Sequence, residues 1–526
     1  LDLLPRAEKR AIQHAAVLGQ TFTHEALAEL VGEPIDEPLD GLVRKALIQE
    51  RLAEGSGRYA FRHQLISDVA YASLPRAERA RLHERAAARI VIGIHPELAE
   101  LVAFHRARAA ELAPSVERGE SAYRAVTEAA AVVARRGASL RAQHLYEQGA
   151  ELAGSIAERL HCLAAASDVA IRRFRGDEAM RLRLQEATIA ERAGEDAVAA
   201  AAYARAVEIP ARMGGVTGPV PEAEIAQMLA RGLELVPGDD TRTRAHLLLN
   251  EAWIAWRFDR FAEMREPTRK GLELARRSGD PVLISNALDA ASAVQWFDGD
   301  FPSSLASTRE RLELLEGASE TRAAEYEVID ARHMLIASLT QSGELRGAFR
   351  YATEAREADL ARRVEHAAWE RDLLPAFYLG YWDHALEGAR KTRDAWIAAG
   401  RPPISAWAQG LSVPIAIHGC RGEEPESLEW LEFLLGLMSE QTGEEVLADV
   451  FTAPVREAGV LMRGDALLHQ GRWEEAADLL TGALDMWSWF GPTIRAVRAE
   501  AFVRAGRAGE RTIAEIAQIT VHHPYG

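Results

Sequence analysis

Cysteine and lysine are both scarce in this chain of 526 residues. Its two cysteines, Cys162 and Cys420, are too few for a disulfide framework or a four-ligand zinc site, so a reducing compartment fits best. No apolar run approaches the roughly 20 residues of a membrane span, and no charged leader precedes an apolar block at the start. We therefore expect a cytoplasmic protein without a membrane span. Because the chain begins at Leu1 rather than Met, we also expect it to be a piece of a longer protein.

Motifs of nucleotide hydrolysis and of common catalytic sites are missing as well. The phosphate loop Gly-x-x-x-x-Gly-Lys-Ser/Thr does not occur, because none of the four lysines follows a glycine loop. The Gly-x-Ser-x-Gly nucleophile elbow, His-Glu-x-x-His and Cys-x-x-Cys are not found either. The sequence thus predicts a chain that is not an enzyme and holds no cofactor or metal by itself. The lysines are Lys9, Lys45, Lys270 and Lys391.

Acidic residues outnumber basic ones, and the whole surplus lies after residue 94. There are 62 Lys and Arg against 79 Asp and Glu, which gives a formal charge of −17. Residues 1–94 hold 13 basic and 13 acidic side chains, so the remainder accounts for the whole surplus. An acidic surface repels nucleic acid and favours basic or mixed-charge partners.

The length exceeds the roughly 250–300 residues of a single core, which indicates several units or one repeat array.

Residues 1–95 show the pattern of a winged helix. Apolar residues at helical spacing predict a first helix over residues 5–18. A second helix is predicted over His24–Val31 with Thr23 as its N-cap, and a third over Leu39–Ala46.

A β-hairpin is predicted after the third helix. Apolar residues alternate over residues 46–52 and 58–61, on either side of a Gly55-Ser56-Gly57 turn. Three helices and a hairpin together make a winged helix, a module that either reads DNA or serves as a structural or regulatory domain.

DNA binding is the interpretation that the charges disfavour. The third helix would be the reading element and holds Arg44 and Lys45, but acidic residues crowd its approach. A surface that faces phosphates should be basic, so we do not expect this module to bind DNA. The acidic residues are Glu33, Asp36, Glu37 and Asp40.

The segment after the hairpin resembles a known family. Phe-Arg-His, a short spacer, Asp-Val-Ala-Tyr, then Leu, Arg and Leu-His form the pattern that closes the winged helix of STAND proteins, the signal-transduction ATPases with numerous domains. Bacterial relatives include large LuxR-type regulators similar to the maltose regulator, and cyclases that carry an ATPase and a tetratricopeptide-repeat (TPR) array. The resemblance covers roughly residues 1–95, and the later repeats resemble the family in architecture. It rests on Phe61, Arg62, His63, Asp68, Val69, Ala70, Tyr71, Leu74, Arg81, Leu82 and His83.

His63 also resembles the histidine of the Met-His-Asp motif in immune-receptor ATPases, where it contacts the β-phosphate of ADP and holds the closed state. The resemblance implies that His63, with Arg62 beside it, senses ADP or ATP held by an ATPase domain upstream of Leu1. An imidazole suits this role because it can donate a hydrogen bond to a phosphate oxygen. Arg62 and Gln64 depart from the motif's Met and Asp. The alternative is structural, with His63 packed under the hairpin and bonded to a backbone carbonyl.

From residue 95 onward, amphipathic segments of 12–16 residues alternate with short turns. The turns recur at a mean spacing of about 42 residues, a period that predicts a solenoid of helix pairs. With Gly471 at a turn, Gly464, Ala476 and Ala483 occupy positions where a TPR needs small residues. The turns are expected at Gly137, Gly176, Gly214, Asp259, Gly299, Gly343, Gly380, Cys420 and Gly471.

Aromatic residues recur in the array in two ways. An aromatic residue follows several turns, and we expect this set to pack between helices; it comprises Phe261, Phe301, Trp382 and Trp473. Tryptophan is also frequent, and some of these rings could line a groove that receives a small effector or a helix. The tryptophans are Trp253, Trp256, Trp296, Trp369, Trp382 and Trp407.

The sequence therefore predicts an all-α chain: a winged helix over 1–95, a TPR-like solenoid over 96–505 with a break near 210–221, and a tail over 506–526. The tail's His522-His523 pair lacks a third metal ligand and is expected to be a frayed end. The first hypothesis is that the chain is the regulatory half of a STAND ATPase. Its array would bind a protein or a small effector, and the protein would assemble into oligomers on activation. The alternatives are a free-standing TPR scaffold that binds a protein, and a winged-helix DNA-binding regulator.

Overall fold

The computed structural model describes most of the chain, which separates into two compact units, Leu1–Val169 and Ala170–Gly526. The predicted limits near residues 95, 210–221 and 505 stay predictions. Several positions for which the sequence predicts a turn, a small residue or a frayed end lie outside the described residues; they include Gly55, Ser56, Gly214, Asp259, Ala483 and the tail histidines. The residues not described are 2, 52–56, 91–97, 174, 214–215, 217–219, 259, 317–321, 362–364, 402–405, 443–452, 483–490, 511, 515–516 and 518–526.

The first unit opens with the predicted helices and hairpin. Strands β2 and β3 form the hairpin, and a short strand β1 pairs with β3, which gives an antiparallel sheet of order β1-β3-β2. We did not predict β1, because three residues are too few to show an alternating pattern. The elements are α1 Arg6–Leu18, β1 Thr21–Thr23, α2 His24–Val31, α3 Asp36–Arg44, β2 Ile48–Glu50 and β3 Arg58–Phe61.

Local sequence explains where these helices begin and end. The Thr23 hydroxyl accepts a hydrogen bond from the Ala26 N–H at 3.1 Å, so the predicted N-cap of α2 is confirmed. Helix α3 begins at Asp36, earlier than predicted, because the first turn of a helix tolerates Pro38. It ends at Arg44 because Ala46 adopts a left-handed conformation with φ of 54°.

Apolar residues of α1, α2 and α3 pack against the hairpin in one core. Ile12, Leu27 and Leu42 are fully buried there, each from a different helix. The first unit continues with longer helices that pack against one another in sequence. These helices are α4 Gln64–Ala72, α5 Arg76–Arg89, α6 Ala99–Leu112, α7 Val116–Arg135, α8 Ser139–Leu152 and α9 Ile156–Arg172, the last of which runs past the boundary of the unit.

The second unit is an array of helix pairs, as the repeat pattern predicts. Its helices are α10 Gly176–Arg192, α11 Asp196–Glu208, α12 Glu222–Leu235, α13 Thr241–Arg257, α14 Arg265–Ser278, α15 Pro281–Phe297, α16 Phe301–Glu316, α17 Arg322–Gln341, α18 Leu345–Ala361, α19 Glu365–Glu370, α20 Leu373–Tyr378, α21 Trp382–Ala398, α22 Val413–Arg421, α23 Glu424–Thr442, α24 Ala453–His469, α25 Trp473–Thr481 and α26 Gly491–Arg504. A π-helical turn, Ile209–Met213, extends α11, and 3-10 helices cover Phe261–Met264 and Ala406–Ser412.

Neighbouring helices of this array form pairs such as α13 with α14 and α15 with α16. Helices α11, α13, α15 and α17 also contact one another in order, so they line up as one layer of the array. The predicted break begins at Pro210, which lies in the π-helical turn rather than in a loop. No helix in the described part of the chain is both long and apolar enough to cross a membrane.

Glycine in the left-handed conformation ends many of these helices. The predicted turns at Gly137, Gly299, Gly343, Gly380 and Gly471 are confirmed, each with φ between 76° and 81°.

Two predicted turns are wrong by a few residues. Gly176 begins α10, and Cys420 lies inside α22, whose left-handed cap is Gly422. In both places a turn residue stands close to the predicted one, which is why the repeat period remained visible.

Small residues allow the two helices of a pair to approach closely. A Cβ atom added to Gly464 would lie 2.8 Å from Leu480 Cδ2, and Ala476 is fully buried. In the pair around Gly343, Ile336 is buried at the position of helix A where a plain TPR has a small residue. That pair therefore accommodates a larger side chain than a plain TPR.

Candidate functional site

Arg62 and His63 join strand β3 to helix α4. The Arg62 N–H donates to the Leu47 carbonyl at 3.1 Å, and the His63 carbonyl accepts from the Ile66 N–H at 3.0 Å. Both side chains are exposed to solvent. The structural alternative for His63 is therefore wrong, because the imidazole does not pack beneath the hairpin. Its role as a nucleotide sensor stays a prediction.

The exposed residues continue along α4 and form a surface. Leu65 and Val69 are 71% and 48% exposed and stand one helical turn apart. Asp68 is exposed beside them. We call Arg62, His63, Leu65, Asp68 and Val69 the α4 surface. It combines two side chains that can donate to an anion with apolar area that the described residues leave open.

Other residues of the family-like pattern have a structural role. The Tyr71 hydroxyl lies 3.0 Å from His83 Nε2, and His83 Nδ1 lies 2.8 Å from His105 Nδ1. Arg108 Nε donates to the same tyrosine oxygen at 3.3 Å. Phe61, Ala70, Leu74 and Leu82 are buried around this chain of contacts. The pattern therefore divides into a buried half that joins α4, α5 and α6 and an exposed half on the α4 surface.

Burial keeps both histidines of this chain neutral. It lowers the pKa of His83 to about 3, helped by His105 and by the charges of Arg108 and Arg79. Burial also lowers the pKa of His105 to about 4. Two neutral imidazoles can share one N–H between their Nδ1 atoms, whereas two cations could not.

The third helix of the module is poorly suited to phosphate contact. Lys45 Nζ pairs with the Glu8 carboxylate at 2.5 Å, so its charge is neutralised within the module. Asp36, Glu37 and Asp40 are exposed on the same helix. These positions agree with our expectation that the module does not read DNA, and that expectation stays a prediction.

The aromatic residues of the array divide between core and surface. Phe261 is buried and stacks on Phe297, and Trp253 is buried with its Nε1 donating to Asn286 Oδ1 at 2.8 Å. Trp473 is 39% exposed, so its packing between helices is at most partial. The side chain of Trp407 lies outside the described residues.

A cluster of buried charges joins helices α15, α16 and α17 to the π-helical turn after α11. Arg311 on α16 is fully buried and donates to Asp289 at 2.5 Å and to Asp330 at 2.6 Å. Arg212, in the π-helical turn, donates to Asp289 at 3.0 Å and to Glu327 at 2.5 Å. We call these five residues the ion cluster. Each charge has a partner of opposite sign, so the cluster is a structural link between α15, α16 and α17 rather than an open binding site.

A cavity of about 380 Å³ lies beside the ion cluster, one turn further along α17. Its size falls within the range of small-molecule sites. Both apolar and polar side chains line it, including the ionisable side chains of Glu370 and Arg371. Its other lining residues are His333, Ile336, Ala337, Thr340, Gln341, Gly343, Leu345, Leu374, Pro375, Tyr378, Gln409 and Thr493.

Glu370, at the end of α19, is the buried acid of this cavity. Only 4% of the residue is exposed, and Oε1 accepts a hydrogen bond from the Gly410 N–H at 2.9 Å. A Cβ atom at Gly410 would lie 2.6 Å from Oε1, so glycine is needed for this approach. Burial raises the pKa of Glu370 to about 8, although the Gly410 N–H and the charge of Arg371 oppose the rise. The carboxyl is therefore mostly protonated at neutral pH.

His333 faces Glu370's cavity from α17. Its Nε2 atom lies 3.3 Å from Gln409 Nε2, so the amide donates and the imidazole accepts. Burial lowers the pKa of His333 to about 4, and the charge of Arg371 adds to this effect. A neutral histidine and a mostly neutral acid thus share one cavity at pH 7. Sequence analysis did not identify either residue, because both acquire their environment from elements distant in the chain.

Comparison with known proteins gives matches to structures only. No family model matches the chain, and no curated protein matches it. A STAND protein with a tetratricopeptide repeat sensor from Pyrococcus horikoshii shares 14% identity over 76% of this chain and 65% of its own, with a TM-score of 0.35. The chain thus spans about two thirds of the length of that protein.

Two Rap proteins are also similar in structure. A Rap protein complexed with competence and sporulation factor shares 12% identity over 69% of this chain and 99% of its own, with a TM-score of 0.43. The apo form of RapI shares 9% identity over the same shares of the two chains, with a TM-score of 0.41.

Proposed function

We propose that this chain is the regulatory and effector-sensing part of a STAND-type signal-transduction ATPase. In this proposal the array binds an effector or partner, and the N-terminal module restrains the nucleotide state of an ATPase domain. The observation that carries the proposal is the α4 surface. Part of the family-like pattern is buried and holds the helices together, whereas Arg62, His63, Asp68 and Val69 are exposed on this surface. An imidazole and a guanidinium there can donate to phosphate oxygens.

The apolar part of the α4 surface supports a protein contact next to the phosphate contact. Leu65 and Val69 would be covered by an apolar area of an ATPase domain, while His63 reaches the bound ADP. Burial of two such side chains stabilises a contact by about 1.5–3 kcal/mol each at most. Arg62 would then add charge to the phosphate side of the same contact.

Regulation would follow from a shift in population. An effector that binds the array more tightly in the open form of the protein would favour that form by its difference in affinity. The open form would release the restraint at His63, exchange ADP for ATP and assemble. The ATPase domain itself supplies the hydrolysis, since this chain has no phosphate loop.

The experiment uses the natural protein that joins this chain to an ATPase domain. We expect His63→Ala to accelerate dissociation of a fluorescent ADP analogue and to raise basal activity. His24→Ala is the matched control, because it removes another imidazole of the module, one that pairs with Asp36 at 3.0 Å. Unchanged ADP dissociation in His63→Ala, or a natural protein without an ATPase domain, would contradict the proposal.

A second candidate function is a protein-binding scaffold that works without a nucleotide. Exposed aromatic side chains on the array favour it, because such residues are enriched at interfaces; among them are Tyr378, Tyr381 and Trp473. The two functions differ in one measurement. A scaffold binds its partner equally well with or without ADP in the natural protein, whereas a regulatory array changes its affinity with the nucleotide state.

A further inference from the structure

We propose that the cavity beside the ion cluster binds a ligand through a cationic nitrogen, an ammonium or a guanidinium group, with the Glu370 carboxylate as its counter-ion. This inference deepens the proposed effector-sensing function, because the bound cation would be the effector or part of it. The cation belongs either to a small free amine or to a Lys or Arg side chain of a peptide.

The first argument is the isolation of the Glu370 carboxyl. Among the described residues its hydrogen bond comes from the Gly410 N–H alone, and it forms no ion pair. Acids nearby are paired differently: Asp372 binds Arg356 at 2.5 Å, and Asp330 binds Arg311 at 2.6 Å. Glu370 is thus a buried acid whose hydrogen-bonding capacity is only partly used by the protein.

The second argument is the charge around the cavity. Arg371 lines it with one positive charge, and Asp372 and Asp330 stand close by with negative charge. His333 is neutral at pH 7, because burial and Arg371 lower its pKa to about 4. Those two acids are already paired with Arg356 and Arg311, so among the described residues the Glu370 carboxyl is the acid at this cavity that lacks a cationic partner. A bound cation would form an ion pair with the Glu370 carboxylate.

Release of a proton distinguishes the binding of a cation from the binding of a neutral ligand. Near pH 7 the Glu370 carboxyl carries a proton. When the cation binds, that proton leaves to the buffer and the carboxylate accepts hydrogen bonds from the ligand N–H groups. A neutral ligand that only accepts a bond from the protonated acid releases no proton.

The test uses the purified full chain and defined probes in isothermal titration calorimetry. The probes are n-butylammonium as the cation, 1-pentanol as its neutral counterpart, butyrate as the anion, and acetyl-Gly-Lys-Gly-amide beside its norleucine analogue. We expect n-butylammonium or the lysine peptide to bind, and pentanol, butyrate and the norleucine peptide to bind at least tenfold more weakly. Stronger binding of the peptide than of the free amine would identify a side chain as the source of the cation.

Two further readouts make the result specific to Glu370. Titration at pH 7 in buffers of different ionisation enthalpy should show release of close to one proton per ligand. Glu370→Gln keeps an oxygen that can accept from the Gly410 N–H, and it should weaken binding by about tenfold to a hundredfold and abolish the proton release. Glu474→Gln, an exposed acid on α25, is the matched control and should change neither.

The outcomes that overturn the inference are equally defined. Failure of every cationic probe to bind at 50 mM (a chosen upper concentration, about the weakest affinity worth assigning) overturns it, and so does equal binding of pentanol. Binding without proton release overturns it even if Glu370→Gln does not fold. A failure here leaves the His63 experiment unaffected, since ADP dissociation is measured without these ligands. The reverse also holds, so the two proposals can fail separately.

Discussion

The Tyr71 hydroxyl and His83 Nε2 lie 3.0 Å apart and join helices α4 and α5. The contact continues from His83 to His105 on α6, so three helices of the first unit meet through one line of polar atoms. Both histidines are buried, and they cannot both take a proton without losing the bond between their Nδ1 atoms. The line of contacts therefore makes the first unit sensitive to acid.

Acid should destabilise the first unit through these two histidines. Their pKa values, about 3 for His83 and about 4 for His105, lie below the ordinary 6.5, so below pH 6.5 the unfolded chain binds protons that the folded unit does not. The contribution of the two neutral histidines to the free energy of unfolding is therefore fully present above pH 6.5. It is lost as the pH drops toward 4, by up to about 1.4 kcal/mol per pH unit for each histidine. Hydrogen exchange of the α5 and α6 amides measures this loss.

Two histidine variants of the first unit, a test and a control, check the acid prediction. His105→Asn keeps a partner for His83 but removes one titrating base, and it should make the dependence on pH less steep. His161→Asn changes an exposed histidine and should leave the dependence as it is. An unaltered pH dependence in His105→Asn would show that other groups cause the acid sensitivity.

Loss of one arginine of the ion cluster should destabilise the second unit. Arg311→Met leaves Asp289, Glu327 and Asp330 with Arg212 alone, and an unpaired buried charge costs about 3–5 kcal/mol. Tryptophan fluorescence in urea measures the effect, because all 11 tryptophans lie in residues 170–526. Arg309→Met, in which a half-exposed arginine is 3.8 Å from Glu344, should cost less than about 1 kcal/mol. Equal costs would refute the structural role of the cluster.

Sequence patterns predicted the elements whose signal is local. The helix His24–Val31 and its cap at Thr23 agree with the structure residue by residue, because capping and helical period are written in neighbouring positions. Strand β1 was missed, since its three residues are held by pairing with β3 and not by their own pattern.

The candidate sites show the same limit more strongly. Arg212 and Asp330 are 118 residues apart in the chain, and Glu370 and Gly410 are 40 apart. No local period marks such residues, and charged residues on amphipathic helices are usually solvated. His63 could be named from the sequence because it belongs to a contiguous pattern, whereas the cavity exists only through tertiary packing.

Gly410 should be intolerant of any side chain because of its contact with Glu370. Gly410→Ala places a Cβ atom 2.6 Å from Glu370 Oε1, which should cost about 1–3 kcal/mol in urea unfolding. Gly347→Ala on α18 meets no atom within 4 Å and should be neutral or stabilise the helix by up to about 1 kcal/mol. The double variant Gly410→Ala with Glu370→Ala should cost less than the sum of the single changes, since the new methyl gains space. Additive costs would show that the strain lies elsewhere.

The two cysteines should report on the two units separately. Cys162 is fully buried in the first unit, where a Cβ atom at Gly149 would lie 2.9 Å from its sulfur, and Cys420 is half-buried in the second. Burial raises the pKa of both thiols to about 11. Because the thiolate is the reactive form, the native protein at pH 7.5 should react with a disulfide reagent about a hundredfold more slowly than free cysteine.

Single-thiol variants turn this protection into a measurement of each unit. In Cys420→Ser the remaining thiol becomes reactive when the first unit opens, and in Cys162→Ser it becomes reactive when the second unit opens. If the units unfold independently, the two variants gain reactivity at different urea concentrations, and the Cys420 transition follows the tryptophan signal. Rapid reaction of Cys162 in native buffer would contradict its burial. Coincident transitions would instead show that the units unfold as one cooperative structure, because opening of either would then expose both thiols.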